Sequence, residues 1–384
     1  MSELYDVVIS GMGPGGAMSA YYLAQAGLKV LALEKRVMPR PKLCAGGLTP
    51  RALDMLTGCD FSVAKECEVR GGMAYTHAGH DLEMSSESKM GVIVDRSRFD
   101  HFLLKRAAAQ GATVHEGEPV LEIAPGKVIS IKTPRNTYNA RYLVGADGAN
   151  SVTSLSLGYP RRHCGYALEC FIPDTYEVIS KHAGSLTFYY GFLPSGYGWM
   201  FPKKGGASVG IGVLTRHSRD IRSHFQGFLS AIGLPPEYAV HCKGFPLPAY
   251  SPRTHNRHGK DNILLVGDAA CLVDPITGEG ISYAMKSGEL AAQAIKQSLQ
   301  GEGKASSIYG RSLKSIKHDL LVAYCMSIPL NTVPNLSILV LRENRQIVHL
   351  LKDIMLGQGR YGELIGALIK AIPNTVKAYL KGRR

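Results

Sequence analysis

The sequence has few of the features that would mark a cross-linked or metal-stabilised protein. Its eight cysteines are scattered over 384 residues, and no two of them form a C-x-x-C pair. A chain of this length, 45% hydrophobic, can bury a sizeable core without disulfide bonds. No His, Cys and carboxylate residues show the spacing of a zinc site, so we expect no metal. These absences favour an ordinary globular protein.

Long hydrophobic runs are absent as well. The longest apolar stretch, residues 336–341, is far shorter than the roughly 20 residues that a spanning helix needs. The first ten residues carry Glu3 and Asp6 and lack the basic, apolar and small-residue regions of a signal peptide. We therefore expect a cytoplasmic protein.

Aromatic residues make up only 8% of the chain, whereas the formal net charge is +13. The basic clusters include Lys203-Lys204, residues 342–345 and residues 381–384. Such an excess favours acidic partners, either nucleic acid or anionic lipid. Because no nucleic-acid-binding motif and no alternating basic and aromatic run accompanies the charge, the sequence predicts no nucleic-acid partner. An anionic lipid surface is the favoured partner.

The hydrophobic pattern changes along the chain in a way that indicates three regions. Strand patterns cover residues 4–10 and 28–34, and helix patterns cover residues 17–26, 99–110 and 281–299. Short β-like runs separated by Gly and Pro occupy residues 166–245, and helical patterns dominate after about residue 306. We therefore predict an α/β composite, with a Rossmann-type domain, an inserted antiparallel β-sheet substrate domain and a C-terminal helical region. The predicted boundaries are 1–70, 92–165 and 255–304 for the Rossmann-type domain, 71–91 and 166–254 for the β-rich domain, and 305–384 for the helical region.

A dinucleotide-binding motif stands between the first strand and the first helix. Gly11, Gly13 and Gly16 have the G-x-G-x-x-G spacing, which provides a tight turn, close approach of backbone to a pyrophosphate, and close helix packing. The pyrophosphate would lie at the helix N-terminus, which attracts anions. Glu34, at the end of the second strand, would bind ribose hydroxyls and repel the 2′-phosphate of NADP. This motif alone does not distinguish NAD from FAD.

A segment far downstream makes that distinction. Asp268 follows a predicted buried strand, and Gly280-Ile281 opens a predicted helix. This arrangement resembles the second flavin motif of the flavoprotein reductase and hydroxylase superfamily, related to p-hydroxybenzoate hydroxylase. The resemblance implies that Asp268 holds the ribityl chain and that the backbone of Gly280 and Ile281 meets the isoalloxazine ring. FAD is therefore the predicted cofactor.

Residues 145–151, which include Asp147, resemble the middle motif of the same superfamily. Ser154 stands where that superfamily usually has an arginine, which puts a nicotinamide-docking role in doubt.

Residues 194–212 carry a more specific signature. They resemble the P-x-x-Y-x-W-x-F-P…G-x-G pattern of the geranylgeranyl reductase family. The matching residues are Pro194, Tyr197, Trp199, Phe201, Pro202, Gly210 and Gly212. Trp199 is the only tryptophan in the chain. Aromatic packing within a β-sheet is the plainer interpretation, but a large apolar ligand also needs such a wall, and we predict that Tyr197, Trp199 and Phe201 bind substrate.

Other segments also match the family. Residues 42–50 resemble its cysteine- and glycine-containing segment, which implies that Cys44, Ala45 and Gly47 lie along the flavin. Arg96 matches a flavin-contacting arginine, whereas Arg98 is expected at the surface. Carried over in the same way, Gly15 would approach the pyrophosphate and Val120 would lie behind the adenine.

The resemblance implies an FAD-dependent enzyme that saturates isolated C=C bonds of polyprenyl chains on a lipid, a quinone or a chlorophyll-type precursor. Cys44 and Tyr197 are the candidate catalytic residues by location, and the sequence selects neither as the proton donor. NADPH and ferredoxin remain alternative electron donors. Two other functions remain open, namely an aromatic monooxygenase or halogenase of the same superfamily, and a flavin-binding regulatory protein.

A polyprenyl substrate would place the protein at a membrane. We expect residues 336–380 and the basic tail to dock on anionic lipid, at the inner face of the membrane. The basic residues concerned are Lys377, Lys381, Arg383 and Arg384. An ordinary helical cap with a solvated tail is the alternative.

Overall fold

The computed structural model describes residues 3–85, 89–160, 165–193, 195–213, 220–356 and 358–381, with only the backbone for residues 85 and 372–381. The strands are β1 Leu4–Ser10, β2 Val30–Glu34, β3 Gly47–Leu48, β4 Lys65–Val69, β5 Gly71–Thr76, β6 Asp81–Ser85, β7 Gly91–Val94, β8 Thr113–Glu116, β9 Glu122–Ala124, β10 Ile129–Lys132, β11 Thr137–Gly145, β12 Gly165–Pro173, β13 Ser185–Tyr190, β14 Gly196–Lys203, β15 Gly206–Val213, β16 Lys243–Leu247, β17 Gly259–Lys260 and β18 Ile263–Leu265. The helices are α1 Pro14–Gln25, α2 Pro50–Asp54, α3 Arg96–Ala109, α4 Val152–Ser156, α5 Glu177–Lys181, α6 Ile221–Ala231, α7 Ile281–Leu299, α8 Ala305–Ser312, α9 Lys314–Thr332, α10 Pro334–Arg342, α11 Arg345–Met355 and α12 Tyr361–Lys381.

The first sheet has a parallel core. Its order is β17-β18-β11-β1-β2-β8, and β10 and β9 extend it from β11. The strands β18, β11, β1, β2 and β8 run parallel, with β2 buried along its whole length. Apolar residues on both faces are typical of a parallel strand covered by helices on each side. The carboxyl ends of β1, β2, β11 and β18 therefore open onto one edge, where ligands of such sheets bind.

Helices α1 and α7 pack on this sheet through glycines. A Cβ at Gly288 in α7 would lie 2.2 Å from the carbonyl oxygen of Gly15 in α1, so the helices can approach this closely only without a side chain there. The hydroxyl oxygen of Ser19 lies 3.0 Å from the carbonyl oxygens of both glycines, which share its single proton. The two helices that follow flavin-motif segments are thereby fixed relative to each other.

The second sheet has the order β16-β12-β15-β14-β13-β5-β6. Its neighbours are antiparallel except for the parallel pair β13 and β5. A third, three-stranded sheet has the order β3-β7-β4. Helix α6 packs on the outer face of the second sheet, with Phe228 against Gly198.

The C-terminal helices pack on the inner face of the second sheet. A single apolar cluster joins Phe188, Tyr197 and Trp199 of the sheet to residues of helices α9 to α12, among them Ile354 and Leu364. Among the described helices, none is by itself long and apolar enough to span a membrane. Helices α9 and α10 together have the length and composition, but they meet at 116°.

The predicted α/β composite with a C-terminal helical region is confirmed. The predicted helix at 281–299 has the same bounds as α7, whereas α3 begins at Arg96, three residues before the predicted start, because Asp95 caps it by accepting from the amide of Arg98 at 2.8 Å. Val120 lies just before β9, which begins at Glu122. The domain boundaries stay a prediction. Pro194, Cys164, Arg383 and Arg384 lie outside the described residues, as do the side chains of Lys377 and Lys381.

Candidate flavin and substrate site

A cavity of about 1020 Å³ runs along the carboxyl edge of the first sheet and beneath the second. Its volume is at the upper end of the range for small-molecule sites, about 300–1,000 Å³. Most residues predicted from the sequence line it. These are Gly11, Gly13, Gly15, Glu34, Cys44, Ala45, Gly47, Arg96, Val120, Asp147, Tyr197, Trp199, Phe201, Asp268, Gly280 and Ile281. The structure thus brings together motifs that lie far apart in the chain.

The glycines at the start of α1 differ in what surrounds them. Gly11 has φ +95°, and a Cβ there would lie 2.5 Å from the carbonyl oxygen of Ala146. A Cβ at Gly16 would lie 1.9 Å from the carbonyl oxygen of Gly11, so Gly16 supports the turn and does not line the cavity. Among the described residues, no atom beyond its own chain neighbours lies within 4 Å of a Cβ at Gly13, which is the N-cap of α1. The open space over Gly13 therefore suits an anion at the helix N-terminus.

Glu34 is buried at the end of β2, and its carboxylate is held from several directions. Oε2 accepts a hydrogen bond from the amide of Met12 at 2.8 Å, which ties the side chain to the glycine turn. Oε1 accepts from the amide of Arg36 at 3.2 Å and lies 3.4 Å from Nε of Arg40. The carboxylate thus has a fixed position at the cavity wall, as a ribose-binding residue requires.

Asp147 carries a buried oxygen that faces no partner in the described part of the chain. Its Oδ2 accepts from the amide and the hydroxyl of Thr153 at 2.9 and 3.0 Å, whereas Oδ1 has no hydrogen-bond partner there. Burial raises the pKa of Asp147. Since buried polar atoms are normally paired, the free oxygen is consistent with a ligand group in the cavity. Ser154, at the position of the expected arginine, is buried in α4.

Asp268 and Gly280 are neighbours, although 12 positions separate them in the sequence. A Cβ at Gly280 would lie 3.8 Å from Oδ1 of Asp268. Gly280 is the N-cap of α7, and Ile281 is its first residue. The amide end of a 19-residue helix therefore faces the same part of the cavity as the carboxylate.

Arg96 is buried and forms a two-point ion pair with Asp100. Its Nε and Nη2 donate to the two carboxylate oxygens at 2.9 and 3.0 Å. Burial lowers the pKa of Arg96, but Asp100 and the neighbouring Cys44 outweigh this and raise it above its usual range. Arg40 extends the network, with Nη1 3.1 Å from Asp100. Arg40 and Asp100 were not predicted from the sequence, although Asp100 lies one helical turn after Arg96.

The aromatic signature forms one wall of the cavity. Phe188 of β13 stands opposite Trp199 of β14, and Trp199 stands opposite Gly210 of β15. A Cβ at Gly210 would lie 2.3 Å from Cζ2 of Trp199, so the indole ring lies directly over this glycine. Phe188 also packs edge-on against Phe201 and Tyr197. The family pattern thus includes both Trp199 and Gly210, the glycine that leaves room for its ring.

Tyr197 reaches from this wall to the flavin-motif segment before α7. A Cβ at Gly278 would lie 2.3 Å from the Tyr197 hydroxyl. Burial raises the pKa of Tyr197 well above its usual range. In the same segment, burial raises the pKa of Asp274 to about 6, and Tyr361 of α12 donates a hydrogen bond to its Oδ2 at 2.9 Å. Asp274, Tyr361 and Glu169 also line the cavity, and no role for them was predicted from the sequence.

The polar groups and the shape of the site fit FAD. Open space over Gly13 suits a pyrophosphate, and the fixed carboxylate of Glu34 suits a ribose. The unpaired oxygen of Asp147 and the carboxylate of Asp268 beside Gly280 suit a polyol. The sequence model of the FAD binding domain family matches residues 4–170.

Known proteins resemble the chain over most of its length. A digeranylgeranylglycerophospholipid reductase of Methanoculleus marisnigri is 32% identical over 317 residues, which cover 77% of this chain and 78% of the relative. A menaquinone reductase of Mycolicibacterium smegmatis is 31% identical and covers 77% of each chain. The crystal structure of a geranylgeranyl bacteriochlorophyll reductase-like protein from Thermoplasma acidophilum superposes with a TM-score of 0.73, 25% identity and 99% coverage of both chains. On these grounds the chain belongs to the geranylgeranyl reductase family of FAD-dependent oxidoreductases.

Proposed function

We propose that this enzyme saturates isolated C=C bonds in the polyprenyl chains of a geranylgeranyl-type glycerophospholipid. The observation that carries the proposal is that the aromatic wall and the flavin motifs line one continuous cavity. A prenyl chain is long and apolar, and it would be bound by large aromatic surfaces such as Trp199 and Phe201. The similarity to the reductase of M. marisnigri supports this class of lipid.

Reduced FAD, when bound, supplies a hydride to one carbon of the double bond. An isolated alkene offers no carbonyl that the protein could polarise, so the contribution of the chain is orientation, exclusion of water and a proton. Trp199, Phe188 and Phe201 would orient the alkene on the inner face of the second sheet. Ile354, Met355 and Tyr361 of the C-terminal helices also line the cavity and would keep water out.

The remaining sequence-derived roles are part of this proposal. We infer that Cys44, beside Arg96, lies along the flavin and that Tyr197, against Gly278, lies where flavin and substrate meet. The electron donor is either NADPH or ferredoxin, and anaerobic bleaching of the flavin absorbance by one of them distinguishes the two.

A prenylated quinone is the second candidate substrate, and the similarity to the menaquinone reductase favours it. The two lipids differ in their headgroups, not in the alkene that is reduced. Competition between the two lipids at the reduced enzyme, with mass spectrometry of both, identifies the preferred one.

The decisive experiment is anaerobic mixing of the reduced enzyme with a geranylgeranyl glycerophospholipid. We expect the flavin to reoxidise without oxygen and the lipid to gain two hydrogens for each double bond. Flavin that reoxidises only when oxygen is admitted would instead support a monooxygenase or halogenase. A flavin that no reductant reduces would indicate a regulatory protein.

We also propose that the C-terminal helices dock on an anionic membrane, from which the lipid enters. Ile328, Val333, Ile365 and Ile369 in this region expose much of their apolar surface, and the chain carries a net charge of +13. Apolar insertion and cationic attraction together bind helices to such surfaces. Co-sedimentation with vesicles containing phosphatidylglycerol should fall in high salt and in the Ile369→Asp variant. Equal sedimentation with neutral vesicles would contradict the proposal.

A further inference from the structure

Glu169 stands on the inner face of the second sheet, in line with the aromatic wall. Glu169 of β12 lies opposite Gly210 of β15, which lies opposite Trp199 of β14. Residues paired in this way across a sheet point to the same face. Glu169 also lines the cavity, together with Ala167 two positions earlier on the same strand. A carboxyl group therefore stands beside the surface that we assign to the prenyl chain.

The surroundings of this carboxyl leave one oxygen free. Its Oε2 is buried and has no hydrogen-bond partner among the described residues. The nearby Ser208 hydroxyl lowers the pKa of this carboxyl group, and Nε1 of Trp199 donates to Oγ of Ser208 at 3.4 Å. A buried carboxylate oxygen without a donor is costly, and protonation of the carboxyl group removes the charge that makes it so. Glu169 thus combines an unpaired buried oxygen, which favours the protonated acid, with a place in the cavity wall.

Burial raises the pKa of Glu169, and this effect exceeds the opposing ones. Ser208, Lys203, Arg96 and Lys42 each lower it, in that order. Lys203 is engaged elsewhere, with Nζ 3.0 Å from Oε2 of Glu66 and 3.0 Å from the carbonyl oxygen of Val94. From β16, Lys243 stands opposite Glu169 in the register, and its side chain is exposed. The surrounding cations would still stabilise the carboxylate left after proton transfer.

We propose that Glu169 is the catalytic acid that protonates the second alkene carbon. This role rests on the proposed function. The O–H bond of Glu169 breaks as the π electron pair of the alkene forms the new C–H bond, while the first carbon receives its hydride from the reduced flavin. The alkene gains two electrons and two hydrogens, the flavin is oxidised, and the carboxylate regains its proton from solvent.

The other candidate acids are less suited to this step. The pKa of Tyr197 is raised so far by burial that its phenol holds its proton tightly. Cys44 lies beside the Arg96 guanidinium and its Sγ accepts a hydrogen bond from the amide of Gly46 at 3.4 Å. Asp274 accepts hydrogen bonds from the amides of Ile276 and Thr277 on its Oδ1 and from Tyr361 on its Oδ2. Glu169 alone among these four combines a free oxygen with a place in the aromatic wall.

The test compares Glu169→Gln and Glu169→Asp with Glu83→Gln, a change at an exposed carboxylate on β6 of the same sheet. In anaerobic single turnovers with a geranylgeranyl glycerophospholipid, E169Q should slow flavin reoxidation by about 100-fold or more. Lipid affinity and FAD content should stay within about 3-fold of the wild type, a margin smaller than one kcal/mol of binding energy. E169D should retain part of the rate, and E83Q all of it.

Infrared spectroscopy of the apoprotein tests the protonation of Glu169 without any turnover. The infrared spectrum of the apoprotein near neutral pH should contain a protonated-carboxyl band that E169Q removes and E83Q retains. Wild-type rates in E169Q, a loss of lipid affinity alone, or no such band would overturn the role while leaving the reductase function intact. A wild-type enzyme that never transfers hydride to the lipid would overturn both.

Discussion

The hydroxyl of Tyr361 donates a hydrogen bond to Oδ2 of Asp274 at 2.9 Å, and both groups are buried. The two residues are 87 positions apart, one at the start of α12 and the other in the segment that leads to α7. Arg51 reinforces this connection, since its guanidinium donates to the Tyr283 hydroxyl at 3.2 Å and to the carbonyl oxygen of Gly359 at 3.1 Å. The C-terminal helical region is therefore tied directly to the flavin-motif segment.

Removal of the Tyr361 hydroxyl should destabilise the fold, and more so at higher pH. Burial raises the pKa of Asp274 to about 6, so the folded protein retains this proton at pH values where the unfolded chain, with a pKa of about 3.9, has lost it. Stability from this group is complete below about pH 4 and is lost as the pH rises to about 6. The Tyr361 bond favours the carboxylate, so Tyr361→Phe should cost about 1–3 kcal/mol above about pH 7 and less below about pH 4.

Urea unfolding of the Y361F variant at both pH values measures this difference. Tyr324→Phe, at a half-buried tyrosine of α9, is the matched control and should show no such pH dependence. An equal loss of stability at both pH values would contradict the assignment of Asp274 as the titrating partner.

A methyl group at Gly13 should weaken FAD binding without affecting the apoprotein. In the described part of the chain, no atom apart from its sequence neighbours lies within 4 Å of a Cβ there, so Gly13→Ala fits the protein itself but enters the space assigned to the pyrophosphate. We expect the Kd for FAD to rise at least about 10-fold, the equivalent of 1.4 kcal/mol. Gly366→Ala in α12, also with no atom within 4 Å, is the control and should bind FAD normally. Flavin fluorescence titration gives the Kd, and calorimetry of the apoproteins gives Tm.

Two glycines of β15 differ in how much space they leave for a side chain, and this difference tests the role of Trp199 in substrate binding. A Cβ at Gly210 would lie 2.3 Å from Cζ2 of Trp199 and 2.5 Å from the backbone carbonyl oxygen of Leu168. Among the described residues, one at Gly212 would approach only Leu247 and Trp199, at 3.6 and 3.7 Å. Gly210→Ala should push the indole ring into the cavity, raise KM for the prenyl lipid at least about 10-fold and cost about 1–3 kcal/mol of stability. Gly212→Ala should behave nearly as the wild type. Because Trp199 is the only tryptophan, its fluorescence reports the ring displacement directly.

The flavin motifs could be predicted from the sequence because they are local. Gly11, Gly13 and Gly16 stand at fixed spacing between one strand and one helix, and α7 follows a glycine and ends near another, so pattern and stop signals suffice. The aromatic wall was predicted from a family signature of the same local kind. The role of each of these residues in cofactor or substrate binding stays a prediction.

The residues that the sequence did not reveal act through distant partners. Tyr361 is one of many tyrosines until α12 folds against the segment containing Asp274. Glu169 is an ordinary strand glutamate until β12, β15 and β14 pair in a register that places it beside Trp199. The strands β12 and β15 are not consecutive in the chain, so their pairing register depends on the packing of the whole sheet. The residues around Glu169 alone do not reveal it.

Arg96 and Arg98 provide a final test, because they are two positions apart on α3 and differ in burial. Arg96 is buried and pairs with the fully buried Asp100, whereas Arg98 is exposed. Arg96→Met leaves the Asp100 carboxylate without its principal partner, so we expect a loss of about 3–5 kcal/mol in the free energy of unfolding and weaker FAD binding. Arg98→Met keeps the backbone amide that Asp95 caps, and it should cost less than about 1 kcal/mol. The double variant Arg96→Met, Asp100→Leu should recover part of the stability, because both charges of this pair leave the interior together while Arg40 keeps its contact with Glu34. If the double variant is as unstable as the single one, loss of packing, and not the unpaired carboxylate, accounts for the effect.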